Sequence, residues 1–456
     1  MRNKATPSRP LSPRQLAVQT LNRVDEQGAY AEPLLDYYLS AHLPNDGKNR
    51  KLVTQIVFGT LRMRGYLDWV IEQFYHGDFP AMENGLKNIL RTALYQIFYM
   101  DRIPSYAVVN EAVRLTETAF RGRGALVNAV LRNVIRHREN MPLPEHNRNL
   151  PLYVAVVHSH PQWLAEKWIA LFGEDEAIRL CSAFNEIPPV TVRVNTLKDS
   201  REAVLSEMCR NGWEAAASHY SPDGIRIGRS EHPIRDTSWF EEGKIQIQDE
   251  GSQLISRLVD PQPGDTVLDL CAGTGGKTAH LAALMGNRGK ILAMDNQEKK
   301  LESLRMMTGR LGVTCVETLS RDGREPPPEH LREAFDRILV DAPCTGLGTL
   351  RRNPEIKWRL TPAEIVRAAA LQSDLLDSAA LYLKKGGHLV YSTCSLLPEE
   401  NEDNVRAFLS RHGTFRHDRS VSAIPGNCMD QNGFMKTLPH HHDMDGFFAA
   451  LLVKCA

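Results

Sequence analysis

The sequence contains no uninterrupted apolar run near the ~18 residues a membrane span needs. Its opening stretch, MRNKATPSRPLSPRQ, is basic and proline-containing but lacks the apolar core of a secretory leader. The expectation is a cytoplasmic protein with a short disordered lead-in and no membrane contact. None of the eight cysteines (Cys181, Cys209, Cys271, Cys315, Cys344, Cys394, Cys428, Cys455) forms a CxxC pair, which argues against both a zinc site and a disulfide framework, so reduced thiols and no metal are expected. An excess of charge of either sign is also missing, with 55 Lys and Arg against 55 Asp and Glu. That balance is uneven along the chain, because residues 1–150 hold 20 basic against 14 acidic residues, with clusters at Arg62/Arg64, Arg121/Arg123 and Arg132/Arg136/Arg138. A basic face suits a polyanion, and a merely solvated helix face is an equal alternative. Low complexity is confined to PPP at 326–328 and HHH at 440–442, the latter without further ligands at metal spacing and expected as a solvated loop.

What is present is a chain of 456 residues, 42% hydrophobic and 24% charged, enough for several globular domains. Residues 12–140 read as successive helices: Ser12, Pro13 and Gln15 form a capped start, and Ala17, Leu21 and Val24 share one helical face. The proline-bearing stretch 138–153 reads as a linker. Helices and strands then mix, with strands at 190–197 and 224–228. From about 246 a regular alternation sets in, with strands at 266–272, 289–295, 313–319, 335–341, 387–393 and 447–453. The expected fold is a helical domain (1–148), a small α+β domain (149–245) and a doubly wound, Rossmann-like α/β domain (246–456).

TVLDLCAGTGGKTAHLAALM (266–285) is a strand, a glycine-bearing turn and a helix. Glycines at 273, 275 and 276 let a ligand approach the backbone, and the helix start offers unpaired N–H groups. GTGGK lacks the third glycine of a dinucleotide fingerprint and suits S-adenosylmethionine better, with Asp269 where an amino group would sit. Asp295 ends the next strand, the position of a ribose-binding carboxylate, and Asp322 follows the third, near an adenine amine.

The fourth and fifth strands end in DAPC (341–344) and STC (392–394). Their carboxyl ends open on one crevice, so Asp341, Cys344 and Cys394 converge there. Cytosine C5 is too electron-poor to attack a methylsulfonium unaided. Addition of the Cys394 sulfur to C6 turns the ring into an enamine whose C5 carries electron density, Asp341 hydrogen-bonds or protonates N3, and Cys344 serves the release step. Either cysteine alone reads equally well as a small buried residue. Cys271 and Cys315 read as packing.

CAGTGGK, DAPCTGLGTLRRNPEIKW and YSTCSLLPEENE resemble the cofactor loop, fourth motif and sixth motif of the RNA cytosine-5 methyltransferases of the RsmB/NOP family. RIPSYAVVNEAV with ALVNAVLRNVIR resembles a NusB-like helical domain, and VRVNTLK with IQDEGSQL the small RRM-like domain that joins it to the catalytic sheet. The resemblance implies Cys394 as nucleophile, Asp341 and Cys344 as its partners, and cofactor contacts from Cys271, Ala272, Gly273, Thr274, Gly275, Gly276, Lys277, Asp295, Asp322 and Asp341. It further implies S-adenosyl-L-methionine as donor, S-adenosyl-L-homocysteine as product, and a monomer acting on one cytosine of 16S ribosomal RNA. Gly273 and Thr274 stand where the family usually has Ala-Pro, which loosens that turn.

A paired base cannot be flanked by a sulfur and a methyl donor, so the target must be unpaired or flipped out. Arg351, Arg352, Lys357 and Trp358, after the fourth motif, are candidates for RNA contact or for a solvated loop. Two other readings remain: a DNA cytosine methyltransferase with Cys344 as nucleophile, and a non-catalytic RNA-binding factor built on the helical domain. An N-methylating enzyme would want an Asn-Pro-Pro-Tyr type of motif where DAPC stands.

Overall fold

The computed structural model describes residues 11–44, 46–228, 233–420 and 422–455, so most of the expected lead-in lies outside the described residues. By packing, the chain divides into two compact units, Met1–Glu186 with Leu350–Arg359, and Ile187–Thr349 with Leu360–Ala456. No described helix is long and apolar enough to cross a membrane.

The first unit is helical. Ser12 Oγ accepts from Gln15 N (3.3 Å) while Gln15 Oε1 accepts from Ser12 N (2.8 Å), closing the capping box that starts helix Pro13–Gln27. Leu16, Ala17, Leu21 and Val24 of that helix pack with helices Ala31–His42 and Gly47–Arg62. A second cluster gathers helix Asn84–Tyr99 with helices Ser105–Ala119 and Gly124–Arg136. The linker read at 138–153 ends early: Asn149 Oδ1 accepts from Leu152 N (3.0 Å) and caps helix Leu150–Val157, whose first turn tolerates Pro151.

The basic clusters separate by environment. Arg121, Arg123, Arg132, Arg136 and Arg138 are exposed. Arg64 instead pairs with Asp25 at 2.8 Å, and Arg62, whose pKa burial lowers to about 10, donates to the Arg351 carbonyl (2.9 Å).

Segment Leu350–Arg359 belongs to this unit, and the burial of Arg351 and Lys357 corrects the reading of those two as RNA-facing or as part of a solvated loop. Arg351 and Lys357 are buried, and Arg352 and Trp358 are half-buried. Lys357 Nζ donates to the Arg62 carbonyl (3.0 Å) and to Asn185 Oδ1 (3.2 Å), Trp358 Nε1 donates to the Leu61 carbonyl (2.7 Å), and Glu355 accepts from Ala31 N (2.9 Å). These bonds satisfy the C-terminal carbonyls of one helix and the first N–H of another, groups that every helix leaves unpaired. Replacing Trp358 with alanine removes that bond and the ring packed against Gly65. The expected loss is about 3 kcal/mol from the unfolding transition of the helical unit, read by denaturant melts.

The second unit holds two sheets. Strands β1 (Val190–Val194), β2 (Ala215–Ala217), β3 (Gly224–Ile227) and β4 (Ile245–Ile247) form an antiparallel sheet of order β2-β3-β1-β4. The larger sheet contains β5 (Thr266–Asp269), β6 (Lys290–Asp295), β7 (Val316–Ser320), β8 (Phe335–Asp341), β9 (Leu383–Thr393), β10 (Phe415–His417), β11 (Met435–Lys436) and β12 (Phe448–Lys454). Its order is β10-β12-β9-β8-β5-β6-β7, with β11 paired to β12. Strands β5 to β9 are parallel, and β12 runs antiparallel to β9. Separate apolar clusters cover the two faces, one with helices Pro362–Tyr382 and Glu402–Arg411, the other with helices Glu250–Val259 and Gly276–Leu284. Chain order reverses between β5 and β8, so a crevice opens at their carboxyl ends. The histidine run is a helical turn, Pro439–His442, in which the His442 ring contacts Leu438 N (2.9 Å) and the Asn427 carbonyl (3.0 Å). The helical turn corrects the reading as a loop, while His441 is exposed, as a solvated segment would be.

Candidate active site

Asp269 ends β5 at the crevice, and the chain turns through Cys271, Ala272, Gly273, Thr274 and Gly275 into helix Gly276–Leu284. Gly273 (φ 56°) and Gly275 (φ 89°) take left-handed backbone conformations that side chains disfavour, and a Cβ on Gly275 would meet Leu304 at 2.5 Å. Gly273 has open space where its Cβ would be, as does Gly276. The helix start carries no side-chain cap, so its N–H groups remain for a ligand.

Asp269 is buried, and its Oδ2 accepts from Thr278 Oγ1 at 2.7 Å. Oδ1 is buried without a partner among the described residues. Burial, only partly offset by the Thr278 bond, pushes its pKa up to about 7. Asp295 Oδ2 accepts from Gly273 N (3.0 Å) and Oδ1 from Gln297 N (2.9 Å), which ties the end of β6 to the glycine turn. Asp322, beyond β7, is engaged by Arg324, whose Nη2 donates to Oδ2 at 2.6 Å and holds the carboxyl at about 2. An orphaned buried carboxylate oxygen, an uncapped helix start and a glycine turn with empty space over it fit S-adenosylmethionine. Cys271 is a packed thiol whose pKa burial drives well up.

The Asp269 carboxyl makes stability depend on pH. The folded chain keeps this proton to about pH 7, whereas an unfolded carboxyl releases it near the ordinary 3.8. Stability is therefore lost as pH rises between those values and stays constant above them. The Asp269→Asn variant should gain on the wild type by up to roughly 4 kcal/mol over pH 4–7, with no further gain above, in denaturant melts of the ligand-free protein.

At the end of β8, Asp341 Oδ2 accepts from Lys277 Nζ at 2.6 Å and Oδ1 from Ser392 Oγ at 2.9 Å. Burial alone would lower the Lys277 pKa, but the Asp341 charge and bond more than reverse it, so the ammonium is held. Cys344 and Cys394 stand with their sulfurs 3.0 Å apart, and Cys394 N donates to Cys344 Sγ at 3.3 Å. The hydrogen bond with Cys394 and burial both push the Cys344 pKa well up, so Cys344 keeps its proton, and either sulfur can donate in their contact. Gly348 N donates to the Cys394 carbonyl (2.8 Å), and a Cβ on Gly348 would lie 1.9 Å from the Gly446 carbonyl oxygen. The two cysteine turns thus touch through backbone as well as sulfur.

The description "16S rRNA methyltransferase RsmB/F" matches residues 256–453, the NusB family matches 11–136, and an RsmF/B-like ferredoxin-like domain matches 160–234. A Synechocystis protein described as a probable ribosomal RNA small subunit methyltransferase B is 36% identical over 97% of this chain and 100% of its own. The chain belongs to the RsmB family of 16S rRNA methyltransferases. The Serratia proteamaculans ribosomal RNA small subunit methyltransferase B is 34% identical to this RsmB-family chain, over 97% of it and 98% of the relative. The crystal structure of PH0851 is 32% identical and superposes with a TM-score of 0.83, covering 97% of this chain and 99% of that one.

One group that sequence reasoning did not single out lies beside the thiols. Glu400 is wholly buried, with its carboxylate between the two cysteine turns. Glu399, Glu400, Glu402 and Asp403 look alike in sequence, and only Glu400 is fully turned inward. The local signal was the run of hydroxyls and amides around it, Thr393, Ser395 and Asn401.

Proposed function

We propose that this protein transfers a methyl group from S-adenosylmethionine to C5 of one unpaired cytosine in 16S ribosomal RNA, through a covalent bond between Cys394 and C6. The observation that carries it is the juxtaposition of two free thiols with an acid–ammonium pair at the switch point of the sheet. When bound, S-adenosylmethionine supplies an electrophilic methyl group.

The residues of the chain supply the rest. Cys344, which keeps its proton, lies 3.0 Å from the sulfur of Cys394, the nucleophile, which adds as its thiolate. Addition of that sulfur to C6 moves an electron pair onto N3, where a proton is needed. Asp341 is the contact for N3, and the ammonium of Lys277, 2.6 Å from its carboxylate, is the proton source behind it. C5, now electron-rich, takes the methyl group. Cys344 then gives its own proton to solvent, and its thiolate removes the C5 hydrogen. The electron pair left at C5 expels the Cys394 sulfur from C6 as a thiolate, and the proton on N3 returns through Asp341 to Lys277, which restores the ring with one proton released in all. The exposed Arg121, Arg123, Arg132, Arg136 and Arg138 are suited to backbone phosphates, a contribution that salt weakens.

The test is methylation of 16S rRNA from cells lacking the gene, using purified protein and S-adenosylmethionine, read by bisulfite sequencing. One cytosine should become protected. Methylation only of DNA, or at a nitrogen, overturns the proposal.

A further inference from the structure

The buried carboxylate of Glu400 has no cation in hydrogen-bonding range among the described residues; four donors compensate it instead. Oε1 accepts from Thr345 N (2.9 Å) and Gln372 Nε2 (3.0 Å), and Oε2 from Thr345 Oγ1 (2.5 Å) and Ser395 Oγ. Thr345 directly follows Cys344, and Ser395 directly follows Cys394. Gln372 also donates to the carbonyl of Pro343, on the other side of Cys344 (3.0 Å). Glu400 is itself pinned, because Tyr391 Oη donates to its carbonyl at 2.5 Å and the following Asn401 donates to the Ser395 carbonyl at 2.9 Å. A buried carboxylate with every oxygen satisfied fixes its donors firmly, since removing any one bond leaves an unpaired group away from water.

We propose that Glu400 is a positioning residue, which fastens the turn after Cys344 to the turn after Cys394 and thereby sets the spacing of the two sulfurs. It touches neither substrate nor cofactor and acts through Thr345 and Ser395. The claim builds on the two-thiol mechanism above. Its geometric part stands apart from methylation and has a readout without RNA. Diamide takes two hydrogens from a pair of adjacent thiols, is reduced to its hydrazine and leaves a disulfide, at a rate set by how the sulfurs meet.

The experiment follows formation of the Cys344–Cys394 disulfide by peptide mass mapping in wild-type protein and in Glu400→Ala, Glu400→Gln and the double variant Thr345→Val/Ser395→Ala. Glu400→Ala and the double variant should close about 10-fold or more slowly, while Glu400→Gln, which keeps one acceptor oxygen and can reverse the two hydroxyls, returns most of the rate. S-adenosylmethionine affinity should stay within about threefold in all of them, while kcat of Glu400→Ala falls about 100-fold, the size of effect a misplacement near 1 Å produces. Should Glu400→Ala fail to fold, the double variant carries the same comparison. Closure at the wild-type rate in a folded Glu400→Ala or double variant overturns the proposal. Slowed closure in variants of a protein whose wild type methylates no RNA would retain the positioning role and refute the methylation reading alone.

Discussion

Replacing Cys394 with alanine should abolish both methyl transfer and any covalent protein–RNA species, whereas replacing Cys344 with alanine should stop turnover and accumulate the covalent species. The asymmetry follows from the order of the two jobs. Without a sulfur at 394 the ring never becomes an enamine, and C5 has no electron pair for the methyl group. Without a sulfur at 344 the methylated adduct still forms, but nothing removes the C5 hydrogen and Cys394 cannot leave. The 3.0 Å approach of the sulfurs is compatible with both jobs, because a base that close to the nucleophile also lies close to the C5 face of the same ring. Denaturing gels with wild-type and variant proteins, 16S rRNA and S-adenosylmethionine read the adduct directly. Normal turnover by Cys344→Ala would remove that residue from the release step.

The second large effect belongs to Lys277 and Asp341. Lys277→Met removes the only ammonium bonded to Asp341 among the described residues, and Asp341→Asn removes the carboxylate proposed to contact N3. Each should lower kcat by on the order of 10²–10³-fold, the usual range for a positioned proton donor or an electrostatic stabiliser. If the two act as one relay, the double variant is hardly slower than the worse single one, whereas independent roles multiply. The same kinetics separate this reading from a role in holding the cofactor. Were Lys277 needed only to bind S-adenosylmethionine, Lys277→Met would mainly raise the KM for that cofactor and leave kcat near the wild-type value.

Much of this site could be read from the sequence, for a physical reason. The central strands of a parallel sheet are buried on both faces, so β5, β6, β8 and β9 announce themselves as apolar runs, and the residues that end those runs fall at the crevice. Asp341 and Cys394 were legible in that way. Strands without such a run were not: β2 is three alanines, and β10 and β11 are three and two residues long, held by pairing to longer neighbours. Charged residues were misread wherever tertiary burial overrode their usual exposure. Arg351 and Lys357 looked like RNA contacts after a catalytic motif, yet both are buried; Lys357 donates to the Arg62 carbonyl at a helix end and to Asn185, and burial pulls its pKa down to about 7. Glu400 is the same failure with a different sign. In a run of acids, the mark that separates a solvated carboxylate from one with four buried donors lies in its neighbours, here Thr393, Ser395 and Asn401, and not in the acid itself.

The most direct test of the account uses RNA in which the target cytosine carries fluorine at C5, a group the release step cannot remove. Wild-type protein incubated with this RNA and S-adenosylmethionine is digested and the cross-linked peptide sequenced by mass spectrometry. The account predicts the nucleotide on the sulfur of Cys394, with the methyl group already transferred. A nucleotide found on Cys344 instead would contradict it.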